Sequence, residues 1–214
     1  MVDASLPPFS FSFTPEFPEF LQQLDCSLVL STYQAGKVIT ISSDGEKITQ
    51  LPRNFISPMG MAIEDNRMAI ATQDEIILLA NEERLANIYP AKQGVYDALY
   101  FPRSTHYCGR MAVHDIAYGT DGLVGVNTAF SCLFRLDDAY NFVPIWRPPF
   151  ITAIAAEDRC HLNGMAMVDG KPKYVTMLGT TDTAGGWRDD KLVGGVLMDI
   201  DTNETLLDGL AMPH

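Results

Sequence analysis

The chain has few positive charges. It contains 15 Lys and Arg against 27 Asp and Glu, which gives a formal net charge of −12 at pH 7. A surplus of negative charge repels the phosphates of nucleic acids and of anionic lipids. The composition therefore predicts that neither nucleic acid nor a membrane is a partner.

Long apolar runs and paired cysteines are also missing. Residues 1–12 have neither the basic start nor the apolar segment of a targeting signal, and no stretch reaches the roughly 20 apolar residues of a membrane-spanning helix. Without a secretion signal, cysteines are expected to be reduced and mostly buried, although their spacing alone leaves a disulfide open. We therefore expect a cytoplasmic protein with free thiols at Cys26, Cys108, Cys132 and Cys160.

Familiar catalytic motifs are absent as well. The sequence has no Gly-rich phosphate loop, no GxSxG elbow, no HExxH pair and no calcium loop. No single motif names a reaction, so function has to be argued from where the fold places individual side chains.

What the sequence does contain is a repeat. Three similar segments lie about fifty residues apart, and each is followed by a polar turn and a second apolar run: 58–63, 113–118 and 162–167. A period of this size with several short strands is typical of a β-propeller, in which each repeat forms a four-stranded blade. A β-sandwich is the alternative, but the recurring order of the runs favours the propeller.

The other runs of each repeat extend the prediction. The second runs are 28–32, 68–72, 123–128 and 174–177; the third are 36–41, 75–79, 131–136 and 194–200; the fourth, weaker runs are 47–51, 141–146 and 204–207. Short apolar segments between Gly, Asp and Asn predict strands and hairpins. We expect innermost strands to carry Met61, Ile116 and Met165.

The pattern also predicts domain organisation. Residues 1–26 form an N-terminal extension with a helix over 15–24, and 27–214 form the blades. Thr14 is expected to cap the helix, with Pro15 in its first turn. Its apolar face should pack on the first blade through Phe17, Phe20, Leu21 and Leu24.

The number of repeats does not close a propeller. The first repeat lacks an innermost strand, and residues 209–214 resemble the approach to another one. We therefore expect four visible blades from the N-terminal part of a six- or seven-bladed propeller. The expected partners of its open edge are the remaining blades or a fused repeat domain.

Several motifs resemble a known family. They are STYQAGK at 31–37, NTAFSCL at 127–133, WRPPF at 146–150, EDRCHLNGMA at 157–166 and GGWR at 185–188. They are similar to those of a bacterial family of conserved hypothetical proteins of unknown function. The resemblance runs from about Phe11 to His214. It implies a propeller, sometimes fused to tetratricopeptide repeats, and implies no activity.

Three of the four histidines occupy matching places in neighbouring repeats. His114, His161 and His214 lie where the chain enters innermost strands, with Asp115 and Asn163 beside them. Three converging imidazoles could hold Zn²⁺ or Fe²⁺ and leave a position for an activated water. Alternatively, these histidines satisfy backbone groups between the blades. The architecture does not require histidine, because the equivalent residue of the first full repeat is methionine.

Two connections exceed what a blade needs. Residues 178–193 contain glycines that could act as hinges together with Trp187 and Arg188, which suits a ligand lid. Alternatively, Trp187 covers a blade edge and Arg188 pairs with Asp189 or Asp190. Residues 80–110 contain His106 and several Tyr and Arg side chains, which suit either a ligand or loop packing. Residues 157–159 could orient His161 or form a solvated turn.

The sequence thus predicts a propeller that binds a small molecule or peptide at its channel mouth. The alternatives are a metal-dependent lyase or hydrolase, with a divalent metal on His114, His161 and His214, and a structural interaction platform. The predicted ligand-binding residues are His114, Asp115, His161, Asn163, Trp187 and Arg188.

Overall fold

The computed structural model describes residues 11–90 and 92–214. Over these residues the chain forms four consecutive antiparallel sheets, and each sheet takes its strands in chain order. This four-blade arrangement confirms the predicted β-propeller. Residues 1–10, part of the predicted N-terminal extension without a targeting signal, lie outside the described residues.

The strands follow one another blade by blade. The first blade has β1 (Leu28–Thr32), β2 (Lys37–Ser43) and β3 (Ile48–Asn54), and the second has β4 (Met61–Glu64), β5 (Arg67–Ala71), β6 (Glu75–Asn81) and β7 (Tyr100–Tyr107). The third has β8 (Val113–Gly119), β9 (Gly122–Asn127), β10 (Cys132–Arg135) and β11 (Val143–Trp146), and the fourth has β12 (Leu162–Val168), β13 (Lys171–Met177), β14 (Gly195–Asp199) and β15 (Thr205–Leu210).

Burial explains the sequence pattern of the strands. Four of the five residues of β5 and five of the six of β9 are buried, because neighbouring blades cover both faces of these strands. A strand covered on both faces reads as a continuous apolar run. The last strand of a blade is different, since five of the six residues of β15 are exposed.

The core lies between the blades. One buried cluster joins the first two blades through Val38 and Met68, and the next joins the second and third through Ile76 and Phe134. A third cluster joins the last two blades around Leu162. Each blade is therefore stabilised mainly by apolar contact with its sequence neighbours.

The innermost strands are as predicted. Met61, Ile116 and Met165 lie on β4, β8 and β12, and β8 contacts both other strands. The backbone of β8 approaches Gly60 so closely that a Cβ there would lie 3.1 Å from the Cα of Asp115. This contact sets how closely the start of β4 approaches β8, the strand that also carries His114.

The N-terminal helix differs from the prediction. Helix α1 spans Phe17–Gln23, no side chain caps it, and Pro18, not Pro15, lies in its first turn. Leu21 is buried against β2, whereas Phe20 and Leu24 are 54% and 55% exposed. The side of the helix that carries Phe17, Pro18 and Leu21 packs toward the first blade, as predicted for Phe17 and Leu21.

The connection over 80–110 was predicted as an insertion beyond the blade, with a short helical turn over 81–85, and the strand that it contains was missed. It contains a second helix, α2 (Glu83–Asn87), and the fourth strand of the second blade, β7. Most residues of β7 are exposed, and Pro102 pairs with Leu79 next to a register shift, so no apolar alternation marks the strand. His106 lies on this outer edge, opposite Ile76, and away from the other histidines.

The cysteines and the membrane prediction can be checked directly. Cys26, Cys108, Cys132 and Cys160 are free, and only Cys26 is exposed. Across the described ranges, every helix is too short or too polar to cross a membrane.

Candidate functional site

Two of the predicted histidines are direct neighbours. His114 is the second residue of β8, and His161 comes immediately before β12. Their ring centroids lie 4.9 Å apart at an angle of 77°, an edge-to-face contact. Adjacent innermost strands bring them together, as the register of the repeats indicated. We call the cluster of His114, Thr128, Asp158, His161, Trp187 and Arg188 the imidazole site.

The proton position on His114 follows from its neighbours. Its Nδ1 lies 2.9 Å from the carbonyl oxygen of Ala112 and 2.8 Å from Oγ1 of Thr128. The Thr128 hydroxyl donates its own proton to the carbonyl oxygen of Leu162 at 2.6 Å, so it accepts from His114. Both neighbours are acceptors, and Nδ1 must therefore carry a hydrogen.

Burial also favours the neutral form of His114. Burial lowers the pKa of His114 below the usual 6.5, and nearby His161 and His214 lower it further. The hydrogen bond to the Ala112 carbonyl acts in the opposite direction and is the weaker effect. A neutral imidazole with its hydrogen on Nδ1 has a free lone pair on Nε2. His114 thus presents a hydrogen-bond acceptor to the site.

His161 is held by a carboxylate. Its Nδ1 lies 3.0 and 3.1 Å from the two oxygens of Asp158. The same carboxylate accepts from Trp187 Nε1 at 3.0 Å and from Arg188 Nη2 at 3.3 Å. Asp158 therefore connects three side chains of the imidazole site, and it holds the ring of His161 with Nδ1 as the donor.

Aromatic stacking completes the cluster. The rings of His161 and Trp187 have centroids 4.3 Å apart, and the guanidinium carbon of Arg188 lies 4.3 Å from the Trp187 ring. Arg188 pairs with Asp158, so the alternative that it pairs with Asp189 or Asp190 is wrong. Trp187 packs on a histidine and does not simply cover a blade edge.

Three of the ten described non-glycine residues with positive φ lie in or next to the imidazole site. Ala112, Asp158 and His161 have φ angles of 50°, 48° and 49°, in the left-handed region that residues with a Cβ rarely adopt. Hydrogen bonds hold this geometry; the amide of Asp158, for example, donates to the carbonyl oxygen of Ala129 at 2.9 Å. Strain of this kind recurs at functional sites, because the surroundings must impose it.

The loop over 178–193 is fixed to the same segment. Asp182 accepts from the Thr152 hydroxyl at 2.6 Å and from Arg159 at 2.7 Å, and the Gly185 amide donates to Glu157 at 3.0 Å. The bonds from Thr152 and Arg159 lower the pKa of Asp182 to about 2. A lid that swings on its glycines would break these bonds, so the loop forms a fixed wall of the imidazole site.

The other predicted site residues lie deeper between the blades. Asp115 accepts from the Met165 amide at 2.9 Å, and burial raises the pKa of its carboxyl group. Asn163 is 2% exposed, and its side-chain amide donates to the carbonyl oxygen of Pro213 at 2.8 Å. Both therefore join neighbouring segments of the chain.

His214, the third predicted histidine, lies close to His114 and Asp115. It is near enough to lower the pKa of His114, and it lines a cavity of about 350 Å³ together with Asp115 and Thr176. Among the residues described, no three His, Cys, Asp or Glu side chains form a group that could hold a metal ion. A metal role for His114, His161 and His214 stays a prediction.

Thr128 is the member of the imidazole site that sequence analysis did not assign, whereas the turn 157–159, which contains Asp158, was proposed as a group that could orient His161. Asp158 stood in the acidic-basic turn before His161, which was the available signal. Thr128 follows a buried strand and carried no signal, because its partners His114 and Leu162 are 14 and 34 residues away.

Fold and site together define a β-propeller protein with paired histidines where two innermost strands begin. Residues 15–214 match the family described as Domain of unknown function (DUF4915), and the chain belongs to that family. The match confirms the resemblance to an uncharacterised conserved family. A comparison with curated proteins gives no match.

Proposed function

We propose that the protein binds a small molecule or peptide at the imidazole site, at the mouth of the propeller channel. The observation that carries this proposal is the fixed position of His161, whose Nδ1 is bound by Asp158 while its ring contacts both His114 and Trp187. Groups held in place before binding lose little conformational entropy when a ligand arrives. This arrangement favours recognition.

A purely structural role explains the cluster less well. In the second blade Met59 occupies the equivalent position, so the packing of the blades does not need an imidazole. The site also combines two half-buried imidazoles, a carboxylate and a guanidinium with three strained residues. Strained residues and buried polar groups cost stability, and they cluster at functional sites.

Trp187 offers a direct reporter of binding. The chain has two tryptophans, and Trp146→Phe leaves Trp187 as the only one. We expect monosaccharides, dipeptides or dicarboxylates, tested as separate classes, to change the fluorescence of Trp187 in a saturable way. His161→Ala should abolish the change, whereas His106→Ala on β7 should preserve it.

The same titration can refute the proposal. If no class changes Trp187 fluorescence, and His161→Ala lowers stability as a core truncation does, the histidines are structural and the protein is an interaction platform.

A metal-dependent lyase or hydrolase is the second candidate. Metal-binding histidines usually donate their other ring nitrogen to a carboxylate or a backbone carbonyl, as His161 does to Asp158 and His114 to Ala112. The two remaining Nε2 atoms could then share Zn²⁺ or Fe²⁺. Elemental analysis of protein purified without chelators tests this: His114→Ala should lower the metal content and His106→Ala should not, and a metal-free wild type would contradict it.

The cellular setting belongs to the proposal too. Free cysteines and an acidic composition support a cytoplasmic protein. Bacterial members fused to tetratricopeptide repeats, implied by the sequence resemblance, would place the propeller beside a protein-binding module. Cell fractionation with a tagged chain would test the location.

A further inference from the structure

The chemistry of the ligand can be inferred from the hydrogen-bond directions at the imidazole site. The inference rests on the proposed binding function and makes it specific. We propose that the ligand is a neutral, hydroxyl-rich molecule, a sugar or polyol, whose hydroxyl groups donate to Nε2 of His114 and Nε2 of His161.

In its neutral form, each of the two imidazoles offers one hydrogen-bond acceptor. Nδ1 of His114 donates toward Ala112 and Thr128, and Nδ1 of His161 donates to Asp158. In a neutral imidazole the second nitrogen then carries the lone pair. Within the described residues, neither Nε2 has a hydrogen-bond partner, so two adjacent acceptors remain for a ligand that brings donors.

The charges of the site argue against a cationic donor. The negative charge of Asp158 is matched by Arg188, which lies 3.3 Å away. The Arg188 side chain is 58% exposed, so its guanidinium is accessible from solvent. An ammonium group would be repelled by this cation and would find no unpaired carboxylate among the named side chains of the site.

A hydroxyl group fits both sides of the site. It can donate to an imidazole nitrogen and at the same time accept from a guanidinium N–H. Arg188 uses Nη1 for the Gly185 carbonyl and Nη2 for Asp158, and a guanidinium has five N–H donors. A carboxylate could only accept, and it would leave both Nε2 lone pairs without a partner.

The proton positions can be tested without any ligand. Nitrogen-15 chemical shifts of the imidazoles should show the hydrogen on Nδ1 for both His114 and His161. A hydrogen on Nε2 of either ring in the neutral state would overturn the inference, whatever the protein binds.

The ligand class is tested by NMR titration of the full chain with named probes: glucose, galactose and myo-inositol against succinate, propylamine and Zn²⁺. At least one hydroxylated probe should shift the resonances of His114 and His161 together. His114→Gln keeps an acceptor near the position of Nε2, whereas His114→Asn keeps a group near Nδ1. We expect the Asn variant to bind about tenfold more weakly than the Gln variant.

The outcomes separate this inference from the proposed function. If succinate, propylamine or Zn²⁺ shifts the two histidines and no hydroxylated probe does, the site binds ligands but the sugar or polyol inference is wrong. If no probe shifts them, both are wrong. Equal affinities of His114→Gln and His114→Asn for the hydroxylated probe would also overturn the inference, and His106→Gln should behave as wild type.

Discussion

Asp158 connects most of the imidazole site through one carboxylate. His161, Trp187 and Arg188 all donate to it, and its side chain is 23% exposed. Hydrogen bonds to a charged group that is largely shielded from water contribute more than those at an open surface. The orientation of His161 therefore depends on the carboxylate of Asp158.

We expect Asp158→Asn to lower the free energy of unfolding by about 1–3 kcal/mol, because the amide removes the charge and turns one acceptor into a donor. Urea denaturation followed by circular dichroism measures the loss. Asp189→Asn, at an exposed position in the loop over 178–193, is the matched control and should change stability little. Equal stability of both variants and wild type would show that the network contributes nothing measurable.

The cysteines differ in reactivity for the same physical reason, burial. Burial raises the pKa of Cys108 to about 11 and that of Cys132 and Cys160 to about 12, whereas Cys26 is exposed. We expect a thiol reagent at pH 8 to label only Cys26 in the folded protein and all four cysteines in guanidinium chloride. Cys26→Ser should abolish the native labelling; rapid labelling of that variant would contradict the buried positions.

At the level of elements, the fixed loop over 178–193 makes part of the stability depend on acid. The pKa of Asp182 is about 2 in the folded protein and near 3.8 for an ordinary aspartate. A lowered pKa contributes stability that is fully present above pH 4 and is lost as the pH falls toward 2. The bonds to Thr152 and Arg159 are the cause.

We therefore expect Asp182→Asn to lower the melting temperature at pH 6, and the difference from wild type to shrink between pH 4 and pH 2. Thermal unfolding over this pH range measures both effects. Asp208→Asn, an exposed position on β15, serves as the control. A difference that stays constant down to pH 2 would mean that the Asp182 charge does not hold the loop.

The same elements show what sequence can predict. Strands buried on both faces, such as β5 and β9, appear as apolar runs and were found within a residue or two. The strand β7 was missed, because its exposed residues follow no alternation. The pairing of His114 with His161 followed from the register of the repeats. The hydrogen bonds that Asp158 accepts from Trp187 and Arg188 could not be predicted, because they join residues about thirty positions apart and depend on how the loop folds back.

At the level of the whole molecule, the close approach of neighbouring blades limits side-chain size. A Cβ on Gly60 would lie 3.1–3.2 Å from three backbone atoms of Asp115 on the next blade. We expect Gly60→Ala to lower the free energy of unfolding by about 1–3 kcal/mol, because backbone cannot move aside as a side chain can. The measurement is chemical denaturation.

The Gly60 variant also probes the site. If the blades separate, the nitrogen-15 shift of His114 should change, since Asp115 is its neighbour in the chain. An unchanged stability would show that the second and third blades tolerate the added methyl group without moving apart.

The fixed loop over 178–193 has a consequence for timing. If the imidazole site binds a ligand as proposed, entry would not have to wait for a segment to close, since Asp182, Gly185 and Trp187 are already bound in place. Association would then follow a single exponential phase whose rate rises linearly with ligand concentration, and release would depend only on the contacts made.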